Sequence, residues 1–168
     1  TLRGVEFETK LLGRHNVQNL VGALAVANTM GIPLEKLKAP VRQLQSVEHR
    51  QQLRGGGDRL IIDDAYNSNP AGALAALETL GLFEGCKILV TPGMVELGER
   101  QTELNTELGR QAAKVCDYAV LVGKKQSVPL RAGLTEAGFP AEKITVVSES
   151  VILIKIRDTE DEIRVTLK

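Results

Sequence analysis

Short apolar strands that trade places with helical stretches predict an α/β fold, a mostly parallel sheet flanked by helices. Three observations carry this expectation. The runs "KILVT" (87–91), "YAVLV" (118–122) and "ITVV" (144–147) are mostly apolar, as strands covered on both faces are. The stretches between them repeat their apolar residues at helical spacing, and polar clusters follow the strand ends.

Taken in order, "NVQNLVGALAVANTM" (16–30) spaces Val17, Leu20, Val21 and Leu24 at about 3.6 residues and stops at Gly31, with Pro33 beyond. This predicts a helix, and a shorter one is expected over 34–44. The character changes at "SVEHRQQL", which places a domain boundary near Ser46, with residues 1–46 on one side and 47–168 on the other. Two strands joined by a glycine turn follow in "HRQQL", "RGGGD" and "RLIID". Pro70 opens a helix to Leu80, a further helix is expected over 101–115 with Leu104, Leu108, Ala112 and Val115 on one stripe, and another over 127–137. The last stretch, "VILIKIRDTEDEIRVTLK", alternates apolar positions around a charged turn, the pattern of a hairpin.

Composition narrows the function. The 168 residues are 43% hydrophobic and 25% charged, with 21 basic residues balancing 21 acidic ones, so neither a nucleic-acid nor a membrane-surface partner is advertised. No secretory leader and no apolar span of membrane length occurs, and Cys86 and Cys116 lack metal-ligand spacing. A cytoplasmic protein with reduced thiols is expected. The opening "TLRGVEFETKLLGRHNVQNL", with no start methionine and no partner strands nearby, reads as the tail of a preceding domain in a longer chain.

Chemistry concentrates in a few short segments. "IIDDAYNSNP" (61–70) delivers two adjacent carboxylates from an apolar strand, and ligands of open α/β sheets sit beyond the carboxyl ends of strands. Asp64 is the candidate for accepting bonds from both hydroxyls of a ribose, while Asn69 before Pro70 is a natural helix N-cap and Asn67 with Ser68 suits a turn. "GRHNVQN" (13–19) sets Asn16 and Asn19 on one helix face. Amides offer a donor and an acceptor together and can read an adenine edge, although helix capping by itself accounts for Asn16. "EHR" (48–50) supplies Arg50, whose fork suits phosphate. "TPGMVELGE" (91–99) is a second strand-end loop carrying Glu96 and Glu99. "RGGGD" has no following Gly-Lys-Ser/Thr and precedes a strand, so it is a turn and not a phosphate loop.

Assembled in this order, "GRHNVQN", "EHR", "DDAYNSNP" and "PGMVELGE" resemble the Mur ligases, closest to the branch that adds D-alanyl-D-alanine to a UDP-muramoyl peptide. The resemblance reaches to about Val147. It implies a Rossmann-like C-terminal domain, preceded by the last helices of a central ATPase domain, that closes over ATP. It also implies Mg²⁺ and an acyl phosphate that the incoming amine attacks. By the same resemblance Asn16 and Asn19 would lie against adenine, Asp64 on the ribose, Arg50 near the phosphates as the catalytic cation, and Asn67 and Asn69 beside the dipeptide. No metal ligand is assigned. The P-loop of the central domain is absent here, so these residues alone are expected not to turn over, and the tail after Ser150 departs from the family pattern. Two other readings stay open: a non-catalytic nucleotide-binding or interaction module of this fold, and a related ligase, such as a glutamate-adding folate enzyme, with another amine substrate.

Overall fold

The computed structural model describes residues 1–56, 59–148, 152–155 and 162–165. The chain forms two compact units, Thr1–Phe83 and Glu84–Lys168.

The first unit opens with an isolated bridge between Leu2 and Val5, the sole strand-like feature before the first helix among the described residues. Helix α1, Arg14–Thr29, starts after Gly13 and ends at Met30 and Gly31, where Gly31 takes a φ of 84°. A 3₁₀ turn, Leu34–Leu37, runs into the short helix α2, Lys38–Gln43. Leu24, Leu34 and Val41 are buried together, with Leu2, Val5, Phe7 and Leu20 packed against them. Of the expected α1 stripe only Leu20 and Leu24 enter this cluster, and Val17 and Val21 are exposed. Strands β1, Gln52–Gly56, and β2, Arg59–Asp63, pair antiparallel with Gln52 opposite Asp63. The expected hairpin therefore forms, but as a separate antiparallel pair and not as part of the parallel sheet. Helix α3, Pro70–Gly81, begins as anticipated: Pro70 occupies the first turn and Asn69 Oδ1 accepts from Gly72 N at 2.8 Å.

The second unit holds the parallel sheet. Strands β3 (Ile88–Thr91), β4 (Tyr118–Val122) and β5 (Ile144–Val147) lie in that order, all parallel. Helix α4, Gln101–Ala112, connects the first two and α5, Ser127–Glu136, the last two, giving two successive βαβ crossovers. The middle strand runs Ala119, Val120, Leu121 and Val122, all buried, which is why it reads as an unbroken apolar run. The buried stripe of α4 differs from the expected one: Asn105, Leu108, Gly109 and Ala112 face inward, and Leu104 is only half-buried. Gly109 and Gly133 let α4 and α5 touch, since a Cβ at Gly109 would collide with the Leu130 carbonyl and one at Gly133 with the Thr106 carbonyl. Strands β6, Ile152–Lys155, and β7, Glu162–Val165, pair antiparallel, the hairpin expected of the tail; its turn lies outside the described residues.

Candidate functional site

Most of the residues singled out from sequence fall in the first unit, around the segment His49-Arg50-Gln51. This segment leaves regular geometry: His49 and Gln51 take φ values of 58° and 45°, the left-handed region that side-chain-bearing residues seldom adopt. Such backbone persists only where surrounding contacts over-determine it. Those contacts come from the last residue of β2 and the segment that follows it. Tyr66 N donates to His49 O at 3.2 Å, and Gln51 N donates to Asp64 Oδ1 at 3.1 Å. His49 Nδ1 lies 2.9 Å from Asp63 Oδ2. Arg50 sits between these ties with its guanidinium carbon 4.4 Å from the centre of the Tyr66 ring.

The two adjacent aspartates separate into different tasks. Asp63 is mostly buried: Oδ2 meets His49 and, at 3.0 Å, Arg54 Nε, and Oδ1 accepts from Ala65 N at 3.3 Å. Asp64 uses Oδ1 on Gln51 N, and its Oδ2 makes no hydrogen bond among the described residues. Arg50 makes no ion pair among the described residues either. A free carboxylate oxygen and an unpaired guanidinium, both on tied-down backbone, are the chemistry that ribose hydroxyls and phosphate oxygens call for.

The start of α1 reaches the same hub. A Cβ added at Gly13, whose φ is 84°, would lie 2.6 Å from Gln51 Oε1. Gln51 is 2% exposed, and its Oε1 stands 3.0 Å from the Thr79 hydroxyl of α3. That hydroxyl is also 2.8 Å from Ala75 O, and its one proton serves a single acceptor at a time. Gln51 thus joins the α1 entry, the Asp64 loop and α3. Asn16 is not an N-cap: it lies inside α1 and donates from Nδ2 to Leu12 O at 2.6 Å, which leaves one amide proton and Oδ1 for a ligand. Asn19, one turn on, is exposed, as is Asn67, and Asn69 commits its oxygen to the cap. His15 Nδ1 is buried with no partner among the described residues.

Sequence reasoning took Asp64 from its strand-end position, and Arg50 from its side-chain type at the expected domain boundary together with the family resemblance. It missed Gln51, Thr79 and Tyr66, which hold them, because neither backbone φ nor a contact 28 residues away leaves a periodic signature.

In the second unit the loop after β3 is pinned from below. Asn105, fully buried, accepts from Met94 N at 2.8 Å and donates to Met94 O at 2.9 Å. Gly93 is confined, a Cβ there meeting Asn105 Oδ1 at 2.8 Å. Glu96 is held exposed with a φ of 62°, and Glu99 lies in a 3₁₀ turn, Gly98–Arg100. Both cysteines are free; burial pushes the Cys116 thiol up to about 11, with the charge of Asp117 adding to the rise. Among the described residues no group of three or more His, Cys, Asp or Glu side chains is placed to hold a metal ion, and no helix is long and apolar enough to cross a membrane.

Comparison with known proteins identifies the family. Residues 49–165 match the family model described as Mur ligase, glutamate ligase domain. The UDP-N-acetylmuramoyl-tripeptide–D-alanyl-D-alanine ligase of Escherichia coli K12 is 31% identical over 147 residues, covering 86% of this chain and 32% of that protein. A UDP-N-acetylmuramoylalanine–D-glutamate ligase of Pseudomonas syringae is 33% identical over 118 residues, 70% of this chain and 25% of its own length. A crystal structure of MurF from Acinetobacter baumannii superposes with a TM-score of 0.72 at 30% identity, covering 86% of this chain and 30% of that one. The chain spans between a quarter and a third of the length of these relatives. On the family match over most of its length, the chain belongs to the Mur ligase family.

Proposed function

We propose that this chain is the nucleotide-closing end of an ATP-dependent ligase that joins D-alanyl-D-alanine to a UDP-muramoyl peptide in peptidoglycan-precursor synthesis. The observation that carries the nucleotide part is Arg50, stacked on Tyr66 with no ion pair among the described residues, between His49 and Gln51, which are tied to the loop of Asp64. Arg50 meets the phosphate oxygens, where a preorganised guanidinium stabilises charge on a phosphoryl group in transfer. Asp64 Oδ2 accepts from the ribose, and Asn16 and Asn19 face the adenine. Asn67 and Asn69 lie toward the dipeptide, Asn69 through the amide hydrogens its cap leaves free. ATP supplies the phosphoryl group that activates the peptide carboxylate. The Mg²⁺ the chemistry calls for is assigned to no residue of this chain.

The amine substrate is taken from relatives: those of Escherichia coli, Haemophilus influenzae and Bacillus subtilis carry the D-alanyl-D-alanine name. A second reading, a ligase adding D-glutamate, is favoured by the Pseudomonas relatives. A solved MurF of Thermotoga maritima was captured with ADP, in keeping with a nucleotide in this fold. Residues 1–46 are read as the tail of a central ATPase domain and 47–168 as the C-terminal domain, and the working compartment as the cytoplasm.

The test is ATP-dependent joining of UDP-muramoyl tripeptide to D-alanyl-D-alanine by the complete gene product, with Arg50→Ala and Asp64→Ala beside it. Loss of about a hundredfold or more in kcat is expected for Arg50→Ala, the scale of removing one preorganised charge-stabilising group. Full activity in both variants overturns the site, and turnover with D-glutamate alone moves the chain to the second reading. A Gly-Lys-Thr/Ser loop upstream in the gene separates either ligase from a non-catalytic module.

A further inference from the structure

The geometry points to His49 and Asp63 as a positioning pair for Arg50, an inference that rests on the reading of Arg50 as the phosphate-binding cation. Neither side chain is needed by that reading, yet both are built into its support. His49 occupies left-handed backbone with a φ of 58°, a conformation that a residue with a side chain adopts only when its surroundings hold it there. Two contacts hold it there. Its Nδ1 lies 2.9 Å from Asp63 Oδ2, and its carbonyl accepts from Tyr66 N at 3.2 Å. The residue so fixed is the immediate neighbour of Arg50. Fixing the His49 backbone sets where the Arg50 side chain leaves the chain, and Tyr66, tied to the same carbonyl, is the ring beneath its guanidinium.

The charges around the pair explain why it holds. Glu48 Oε1 stands 3.8 Å from His49 Nε2, so the imidazole has a carboxylate near each nitrogen. Arg54 bridges the two acids, with Nε 3.0 Å from Asp63 Oδ2 and a terminal nitrogen 3.3 Å from Glu48 Oε1. Asp63 is the better holder of the two because only 13% of its side chain is exposed, against 73% for Glu48, and exposed pairs contribute little. Arg54 and His49 occupy Asp63 Oδ2, and Arg50 forms no ion pair among the described residues, so its guanidinium is offered from the Tyr66 ring alone. A flexible arginine would lose side-chain freedom on meeting phosphate; one already stacked on Tyr66 and rooted in fixed backbone loses less.

The experiment is a double-mutant cycle in the complete gene product. His49→Gly keeps the φ value comfortable while removing the imidazole, and Asp63→Asn removes the charge while leaving an oxygen for Ala65 N. Each single variant is expected to lower kcat/KM for ATP about tenfold, with KM for the peptide and dipeptide substrates within about twofold of wild type. In an Arg50→Ala background each is expected to change kcat/KM for ATP less than twofold, because a group that acts through Arg50 has nothing left to position. A tenfold loss that persists in the Arg50→Ala background overturns the proposal, as does wild-type activity in both singles. So does a loss shared equally by all three substrates that tracks a fall in Tm. If only His49→Gly fails to fold, Asp63→Asn carries the cycle; if neither folds, the pair is a folding element and the proposal falls. Wild-type activity of Arg50→Ala itself would instead strike the phosphate reading, and the positioning role with it.

Discussion

Gly13 is asked for two things at once, a φ of 84° and no side chain toward Gln51. Alanine there would be strained on both counts, with its Cβ 2.6 Å from Gln51 Oε1. Gly13→Ala is therefore expected to destabilise the first unit by about 1–3 kcal/mol, read as a lower urea midpoint. Cys116 offers a different residue-scale test. Burial raises its thiol from 9.0 to about 11, so the folded chain holds that proton more tightly than the unfolded chain does. The resulting stabilisation is complete below pH 9 and disappears as pH rises through 11. Stability measured by denaturant should fall across that window, and the slope should flatten in Cys116→Ala; equal slopes in the two proteins would contradict the assignment.

At the scale of elements, the α4–α5 contact rests on Gly109 and Gly133, each of which admits the other helix's backbone. A methyl group at Gly133 can be relieved only by moving a helix, since the obstacle is the Thr106 carbonyl and not a side chain that could rotate away. Gly133→Ala should cost about 2–3 kcal/mol and release α5 from α4, seen as faster amide hydrogen exchange over 127–136. The periodicity of α4 pointed to Leu104 as core, but its buried face carries Asn105 instead. A polar residue on a helical stripe is legible as an anomaly; that it locks both polar groups of Met94 is not, because the partner lies in a loop without periodicity. The β1–β2 hairpin was legible from its glycines and apolar runs, whereas its separation from the parallel sheet was not. Pairing depends on which edge meets which, and an apolar pattern reports burial alone.

For the whole molecule, a nucleotide site completed by groups outside these residues should bind ATP weakly when they stand alone. These 168 residues carry one candidate phosphate-binding arginine and one candidate ribose carboxylate, too few groups for tight binding of a tetra-anionic ligand. Calorimetry of the isolated chain with ATP should show no binding at micromolar concentration and no turnover. Saturable micromolar binding would mean that this chain holds far more of the site than Arg50, Asp64 and the two asparagines.

The sequence by itself determined the α/β alternation, the α3 start at Asn69 and Pro70, and the short list holding Arg50 and Asp64. Each of these is written locally, in periodicity, in capping chemistry or in residue type at a strand end. Tertiary structure alone decided which aspartate is free. Asp63 and Asp64 are adjacent and identical, and only the fold, by bringing His49 and Arg54 to one and the Gln51 amide to the other, leaves a carboxylate oxygen of Asp64 without a partner among the described residues. It also decided that Arg50 stands over Tyr66 with no ion pair among the described residues, because charge pairing is set by distances between segments that no local pattern encodes.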